Sequence, residues 1–238
     1  MNKILTVAAL AVISSAAFAF TESFDTGPTG WIGGGTVTFG NTSGGDAMAF
    51  SSGTWHALNA SSPLGTTGWF NNNSVFAPNS GAGQANANFN NTTGTNTINN
   101  FLMSPVVTFN NGDTISFWTR TVASPAFPDR LRLVMSTNGA STAAGDFSTV
   151  LVSVNETLTL AGYPSTWTQF TGTVSGLGGP TSGRFAFNYN VTGGGPSGNN
   201  SDFIGIDDVT YTAVPEPASL TALGLGALAL LRRRNRKS

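Results

Sequence analysis

Residues 184–191 read Arg-Phe-Ala-Phe-Asn-Tyr-Asn-Val, and this stretch decides the fold class. Its large apolar side chains, Phe185, Phe187, Tyr189 and Val191, alternate with smaller or more polar ones. Because successive side chains of a strand point to opposite faces, this alternation predicts a β-strand with one face in the core.

The same alternation recurs on both sides of this stretch. Further strands are predicted at 20–25, 84–89, 113–122, 129–136, 150–154, 167–174 and 202–212, with a hairpin of 36–39 and 46–50 around a turn at 41–45. Short strands between turns rich in Gly, Asn and Pro predict an antiparallel β-sandwich of the jelly-roll type. Its predicted core also contains Phe117, Leu131 and Leu133.

Charge and cysteine content narrow the classes of function. Residues 20–213 contain ten acidic residues and four arginines, which gives a net charge of about −6. A domain without a basic face has little to neutralise phosphates, so we expect no nucleic-acid partner. The chain has no cysteine, so no disulfide stabilises it in an oxidising compartment. Packing must therefore stabilise the fold, with structural calcium as a candidate cofactor.

The N-terminus predicts export. Residues 1–19 combine Lys3, an apolar stretch at 4–13 and the small-x-small ending Ala17-Phe18-Ala19. This order is typical of a secretory signal peptide that signal peptidase cleaves, here before Phe20. The domain organisation predicted is a signal peptide at 1–19, a β-sandwich at 20–213 and a C-terminal segment at 214–238.

The C-terminal segment has three parts. They are the triplet Pro215-Glu216-Pro217, an uncharged run at 219–231, and a basic tail of Arg232, Arg233, Arg234, Arg236 and Lys237. As a helix the run would rise about 20 Å, short for a bilayer core of roughly 30 Å. The basic tail would hold the C-terminus on the cytoplasmic side of the inner membrane.

This order of triplet, apolar run and basic tail resembles the PEP-CTERM sorting signal of Gram-negative exported proteins. The resemblance implies that an exosortase, a membrane transpeptidase with a cysteine nucleophile, recognises Pro215, Glu216 and Pro217 and removes the tail. The chain would then be anchored transiently in the inner membrane before it reaches the outer surface or the extracellular matrix. The alternative is a plain membrane anchor that is never cut.

The domain itself resembles the choice-of-anchor J family. The matching motifs lie at 101–105, 112–118, 127–131, 163–167 and 205–209. That family is similar to cleaved-adhesin and MAM-like jelly rolls and is found fused to several surface-sorting tails. One departure is Phe101, where a tryptophan is common in the family.

The sequence lacks the residue combinations of common active sites, and we predict no catalytic residue. Without cysteine a Cys-His site is excluded, and a Ser-His-Asp triad would need His56, the one histidine of the chain. No Gly-x-Ser-x-Gly motif surrounds His56, and no carboxylate-rich strand motif indicates a glycosidase.

Acidic side chains on the first and last predicted strands indicate a candidate calcium site. Glu22 and Asp25 lie on the first strand, and Asp207 and Asp208 on the last. Calcium takes six to eight oxygen ligands, and the terminal strands of a jelly roll tend to be neighbours. Because adjacent strand residues face opposite ways, at most one of Asp207 and Asp208 is expected at a given site. The alternative is that these carboxylates cap turns or pair with arginine.

The tryptophans divide into two groups. Trp118 and Trp167 lie on well-formed predicted strands, where core packing is expected. Trp31, Trp55 and Trp69 lie in Gly-rich stretches, where exposed rings could bind a sugar ligand by stacking.

These observations favour an exported, non-enzymatic surface or matrix protein with a structural or adhesive role, in contact with extracellular polysaccharide. A carbohydrate-binding module is the alternative, and a hydrolase that uses His56 or an acidic pair is the third hypothesis.

Overall fold

The computed structural model describes residues 19–31, 38–42 and 44–214. Their strands, numbered in chain order, are β1 (Ala19–Glu22), β2 (Asp46–Phe50), β3 (Gly53–Asn59), β4 (Ala85–Asn88), β5 (Ile98–Met103), β6 (Val107–Phe109), β7 (Thr114–Thr121), β8 (Leu131–Ser136), β9 (Thr149–Val154), β10 (Thr168–Thr173), β11 (Thr181–Val191) and β12 (Phe203–Thr212). Within these ranges, helical structure is confined to two 3₁₀ turns, Phe89–Asn91 and Ala144–Asp146, and no helix could cross a membrane. The predicted signal peptide up to residue 18 and the predicted apolar helix at 219–231 lie outside the described residues.

The first sheet is built around β12. Its order is β1-β12-β7-β10, and β4 also pairs with β12. Along one edge of β12, residues 203–206 pair with β4 and residues 209–212 pair with β1, while β7 occupies the other edge. Two short strands therefore share one edge of β12, with a gap between them at residues 207–208.

The second sheet is built around β11. Its order is β2-β3-β5-β11-β8-β9, with β6 also paired to β11. All of its pairings are antiparallel. Both sheets thus have a late, long strand at their centre, which confirms the predicted antiparallel β-sandwich.

Aromatic rings fill the space between the two sheets. The ring of Phe185, on β11, stacks on Phe20 of β1 and on Tyr211 of β12, with a centroid distance of 6.2 Å to each. It also meets Trp55 of β3 edge-on at 5.8 Å. Such pairs add to the free energy gained from burying the rings themselves, so this cluster joins the two sheets at the centre of the core.

The predicted core is confirmed. Phe117, Leu131, Leu133, Phe185, Phe187 and Tyr189 are all fully buried. The alternating pattern identified them because β7, β8 and β11 each place one face against the opposite sheet.

The predicted hairpin of 36–39 with 46–50 is not found among the described residues, and residues 36–37 lie outside them. β2 pairs with β3, from Phe50↔Gly53 to Asp46↔Ala57, and Phe39 forms an isolated bridge with Trp69. Two residues connect β2 and β3, a shorter loop than the predicted turn at 41–45. Gly53, the first residue of β3, has a φ of +131°, a conformation that favours glycine. The strands β3, β5 and β6 were not predicted.

A buried carboxylate, Asp129, links the two sheets through hydrogen bonds. Its Oδ1 accepts from the Tyr189 hydroxyl at 2.6 Å and from the Asp202 amide at 2.8 Å. Its Oδ2 accepts from the Thr121 hydroxyl at 2.8 Å. Burial raises the pKa of Asp129 to about 6, and the three donors only partly oppose this effect.

The raised pKa of Asp129 predicts an unusual pH dependence of stability. Below about pH 4 the carboxyl is protonated in both folded and unfolded chains. Between about pH 4 and pH 6 the unfolded chain loses this proton first, so the free energy of unfolding should fall as pH rises, by at most about 3 kcal/mol. Denaturant titrations at pH 4, 5, 6 and 7 measure this slope.

The matched variant is Asp129→Asn. In this variant the Thr121 hydroxyl can donate its proton to the Phe203 carbonyl, and its oxygen can then accept a hydrogen bond from the new side-chain amide. The variant should lose much of the pH dependence, while the part due to Asp207 remains, because the pKa of Asp207 is raised to about 7. An equal slope in wild type and variant would contradict the assignment.

A second prediction concerns the core. Phe187 is fully buried and packs against Phe117 at a centroid distance of 4.9 Å. Phe187→Ala should lower the free energy of unfolding by about 3–5 kcal/mol, measured by denaturant titration. The control Val106→Ala, at an exposed position, should change it by less than about 0.5 kcal/mol. A cost below about 1 kcal/mol for Phe187→Ala would contradict this packing.

Candidate functional site

The point where the chain leaves the sandwich is fixed by a buried carboxylate. Asp113, just before β7, accepts the Val214 amide on Oδ1 at 2.8 Å and the Tyr211 hydroxyl on Oδ2 at 2.6 Å. The Asn110 amide also donates to Oδ2, at 2.8 Å. Asp113 is fully buried, so it stabilises both the end of β12 and the two residues that follow it.

This arrangement places the C-terminal exit at the surface. Val214 is 36% exposed and is the last residue that the structure describes. The predicted recognition residues Pro215, Glu216 and Pro217 come next and lie outside the described residues. The folded domain therefore extends to the residue before the triplet, with no spacer between them.

The carboxylates of Asp207 and Asp208 bind the loop at residues 77–83. Asp207 Oδ2 accepts the amides of Asn79 and Ser80 at 2.8 and 3.2 Å. Asp208 accepts the Asn79 side-chain amide and the Ser80 hydroxyl, both at 2.7 Å. Burial raises the pKa of Asp207 to about 7.

The expectation that Asp207 and Asp208 face opposite ways is wrong. The register of β12 against β7 shifts between Asp207 and Thr210, and Asp208 has a φ of +47°. A bulge of this kind adds a residue to one strand and re-aims its side chains. It lies at the gap between β1 and β4, where both carboxylates reach the same loop.

The other two acidic residues of the predicted calcium site have separate partners. Asp25 binds the far end of the 77–83 loop, where the amides of Ala82 and Gly83 donate to it. Glu22 is fully buried and accepts instead from Ser51 and Ser52, including the Ser52 amide at 2.8 Å.

The predicted four-residue calcium site is therefore not assembled. Asp25, Asp207 and Asp208 do meet one loop, but N–H and O–H donors point at their oxygens, the opposite of what a cation needs. Among the residues of the described ranges, no group of three or more acidic or histidine side chains is placed to hold a metal ion. The contacts of these carboxylates fit the alternative prediction, that they cap turns.

The prediction of exposed, sugar-binding tryptophans is also wrong. Trp31, Trp55 and Trp69 are fully buried. Glycine in their flanks allows close approach of other segments. For example, a Cβ on Gly68, next to Trp69, would lie 1.9 Å from the Phe39 carbonyl oxygen. Trp118 and Trp167, expected in the core, are only partly buried.

His56 has no catalytic partner in the part of the chain that the structure describes. It lies on β3 beside a small hollow lined by Gly45, Asp46 and Thr142. No hydrogen bond joins it to a serine or a carboxylate within the described ranges. Burial and the nearby Arg184 lower the pKa of His56.

Comparison with known proteins identifies the segment that follows the exit. Residues 213–237 match the model of the PEP-CTERM protein-sorting motif. The match begins one residue before Val214, where Asp113 holds the chain. The sequence matches none of the curated proteins.

Solved structures show what the sandwich is similar to. The K3 cleaved adhesin domain of Lys-gingipain from Porphyromonas gingivalis W83 has a TM-score of 0.51 at 17% identity, over 84% of this chain and 99% of that chain. The K1 domain of the same protein has a TM-score of 0.50 at 18% identity, over 83% and 99%. The xylan-binding CBM22-1 domain of Paenibacillus barcinonensis Xyn10C has a TM-score of only 0.41 at 14% identity, over 84% of this chain and 97% of that chain. This TM-score is too low to support an argument about ligands.

These likenesses confirm the predicted cleaved-adhesin-like fold and the predicted sorting motif. The chain is an antiparallel β-sandwich whose fold is similar to that of cleaved adhesin domains, and its residues 213–237 match the PEP-CTERM protein-sorting motif.

Proposed function

We propose that this protein is an exported, non-enzymatic β-sandwich that an exosortase-type enzyme sorts to the outer surface or the extracellular matrix, where it has a structural or adhesive role. The observation that carries the proposal is the junction at Val214. The sorting motif begins at residue 213, directly after β12, where Asp113 accepts the Val214 amide, so residues 215–238 can be removed without removing any part of a described strand.

Each terminal segment has a role in export or sorting. The signal peptide at 1–19 directs export and is cleaved by signal peptidase. The apolar run at 219–231 and the basic tail hold the chain transiently in the inner membrane. The processing enzyme binds Pro215, Glu216 and Pro217, a triplet whose two prolines restrict the backbone. The domain at 20–213 is what reaches the surface.

Three observations support an adhesive role over an enzymatic one. His56 has neither a serine nor a carboxylate partner among the described residues. The buried carboxylates Asp113, Asp129 and Asp207 are each occupied by hydrogen bonds within the fold. The sandwich shares its fold with adhesin domains, which makes a display role natural, although a shared fold by itself assigns no ligand.

The sorting step is tested by Glu216→Ala. Loss of this carboxylate from the triplet should leave export intact and stop removal of the C-terminus. The uncut chain keeps its apolar run and five positive charges, so it should accumulate in the inner membrane. Intact-mass measurement of membrane and released fractions should show wild type lighter by roughly 2 kDa, the mass of about 20 residues.

The control is Thr221→Ala in the apolar run, which leaves the triplet intact and should be processed like wild type. A plain membrane anchor predicts instead that Glu216→Ala changes nothing, because insertion depends only on the apolar run and the basic tail. A wild-type protein that retains Ser238 at the surface would contradict the proposal.

A further inference from the structure

Three loops meet at one end of the sandwich and enclose a cleft. They are the turn after β4 near Phe89, the loop after β7 near Phe127, and the loop between β11 and β12 at residues 192–202. The cleft has a volume of about 150 Å³. Its walls include Phe89, Phe127, Pro196 and Asp202.

Backbone hydrogen bonds hold these loops together around Asp202. The Phe89 amide donates to the Asp202 carbonyl at 3.0 Å, and the Ser201 amide donates to the Pro128 carbonyl at 2.8 Å. The Ala126 amide donates to Asp202 Oδ2 at 3.1 Å. The first two loops are thus tied to residues 201–202 of the third.

Glycines make the third loop compact. A Cβ on Gly195 would lie 2.5 Å from the Gly94 carbonyl oxygen, and one on Gly198 would lie 2.3 Å from the Gly193 carbonyl oxygen. Gly195 also has a φ of +89°. No other residue fits these positions without moving the backbone, so the cleft is formed before any ligand binds, which lowers the entropy cost of binding.

The walls of the cleft combine exposed aromatic rings with an available carboxylate. Phe89 is 37% exposed and Phe127 is 40% exposed, although burying such rings would be favourable. Among donors in residues 19–31, 38–42 and 44–214, Ala126 alone contacts the Asp202 carboxylate, and it contacts only Oδ2. Asp202 Oδ1 can therefore accept a hydrogen bond from a ligand.

The chemistry of the lining restricts the ligand. The lining holds no lysine, arginine, histidine, asparagine or glutamine. The Ser201 hydroxyl is nearly buried and accepts from the Gly195 amide. The lining therefore favours a ligand that donates hydrogen bonds, carries no negative charge and presents an apolar face to the phenyl rings.

The size of the cleft restricts the ligand further. Sites for drug-sized molecules usually enclose about 300–1,000 Å³, so a cleft of about 150 Å³ suits one ring. A pyranose has an apolar C–H face and hydroxyl donors at its edge. We propose that the cleft between Phe89 and Phe127 binds a single uncharged or amino sugar residue, with its ring against a phenyl face and a donor on Asp202.

This inference deepens the proposed function, since it names the class of polysaccharide that a displayed domain would bind. The test uses the full-length chain in detergent, so it does not depend on whether sorting occurs. The probes are an array of neutral gluco-, galacto- and manno-oligosaccharides, glucosamine oligomers and oligogalacturonates. We expect binding to one or more neutral or amino sugars and none to the uronates.

Substitutions in the cleft test whether the sugar binds there. Phe127→Ala and Asp202→Asn should each weaken binding at least tenfold. Phe127→Tyr should bind like wild type, because the aromatic ring is kept. The control Leu160→Ala removes an exposed apolar side chain elsewhere and should leave affinity unchanged. Melting temperatures show whether each variant is folded, and Phe89→Ala serves as the second test if Phe127→Ala unfolds.

Three results would overturn the inference. They are an array without any bound sugar, affinity that is unchanged in both Phe127→Ala and Asp202→Asn, and preferential binding of oligogalacturonates. Direct binding of tetramethylammonium together with the first of these results would assign the cleft to an organic cation instead, because aromatic rings with a carboxylate can bind organic cations. None of these results bears on the Glu216→Ala experiment, which tests sorting alone.

Discussion

The contact of Phe185 with both sheets is the interaction on which the rest of the structure depends. The chain has no cysteine, and the ion pairs of the described residues are those that Arg130 and Arg132 form with Glu156. The two sheets are joined by ring packing between β11 and the strands β1, β3 and β12. Phe20 and Tyr211 in this cluster come from opposite ends of the domain. The fold is therefore complete only when the last strand, next to the sorting motif, has taken its place beside β1.

Buried carboxylates then fix the irregular parts of the fold. Asp113 holds the exit of the chain, Asp129 holds the start of β12 against β7 and β11, and Asp207 holds the 77–83 loop in the gap between β1 and β4. Each accepts several hydrogen bonds, as a buried polar group must. These anchors explain how so glycine-rich a chain keeps defined loops, including those that shape the cleft of Phe89 and Phe127.

The sequence predicts those parts of the fold that follow a regular period. The alternation in residues 184–191 identified β11, its buried face and, with its neighbours, the sandwich class. Contacts between distant segments leave no such signal. β12 has a bulge that turns Asp207 and Asp208 to the same loop, and Trp55 is buried against Phe185, 130 residues further along the chain. The cleft was missed because its three loops are adjacent only in the folded chain; Phe127 before Pro128, an apolar residue in a turn, was the one local sign. The sorting motif was predictable because its order is linear.

The central proposal is that the domain up to Val214 folds without residues 215–238 and that these residues serve sorting alone. The most direct measurement compares the melting temperature of the full-length chain with that of a chain that stops after Val214. We predict equal melting temperatures, with the shortened protein exported and never retained in the membrane. A shortened chain that melts several degrees lower, or fails to fold, would contradict the claim, because residues 215–238 would then be part of the folded domain.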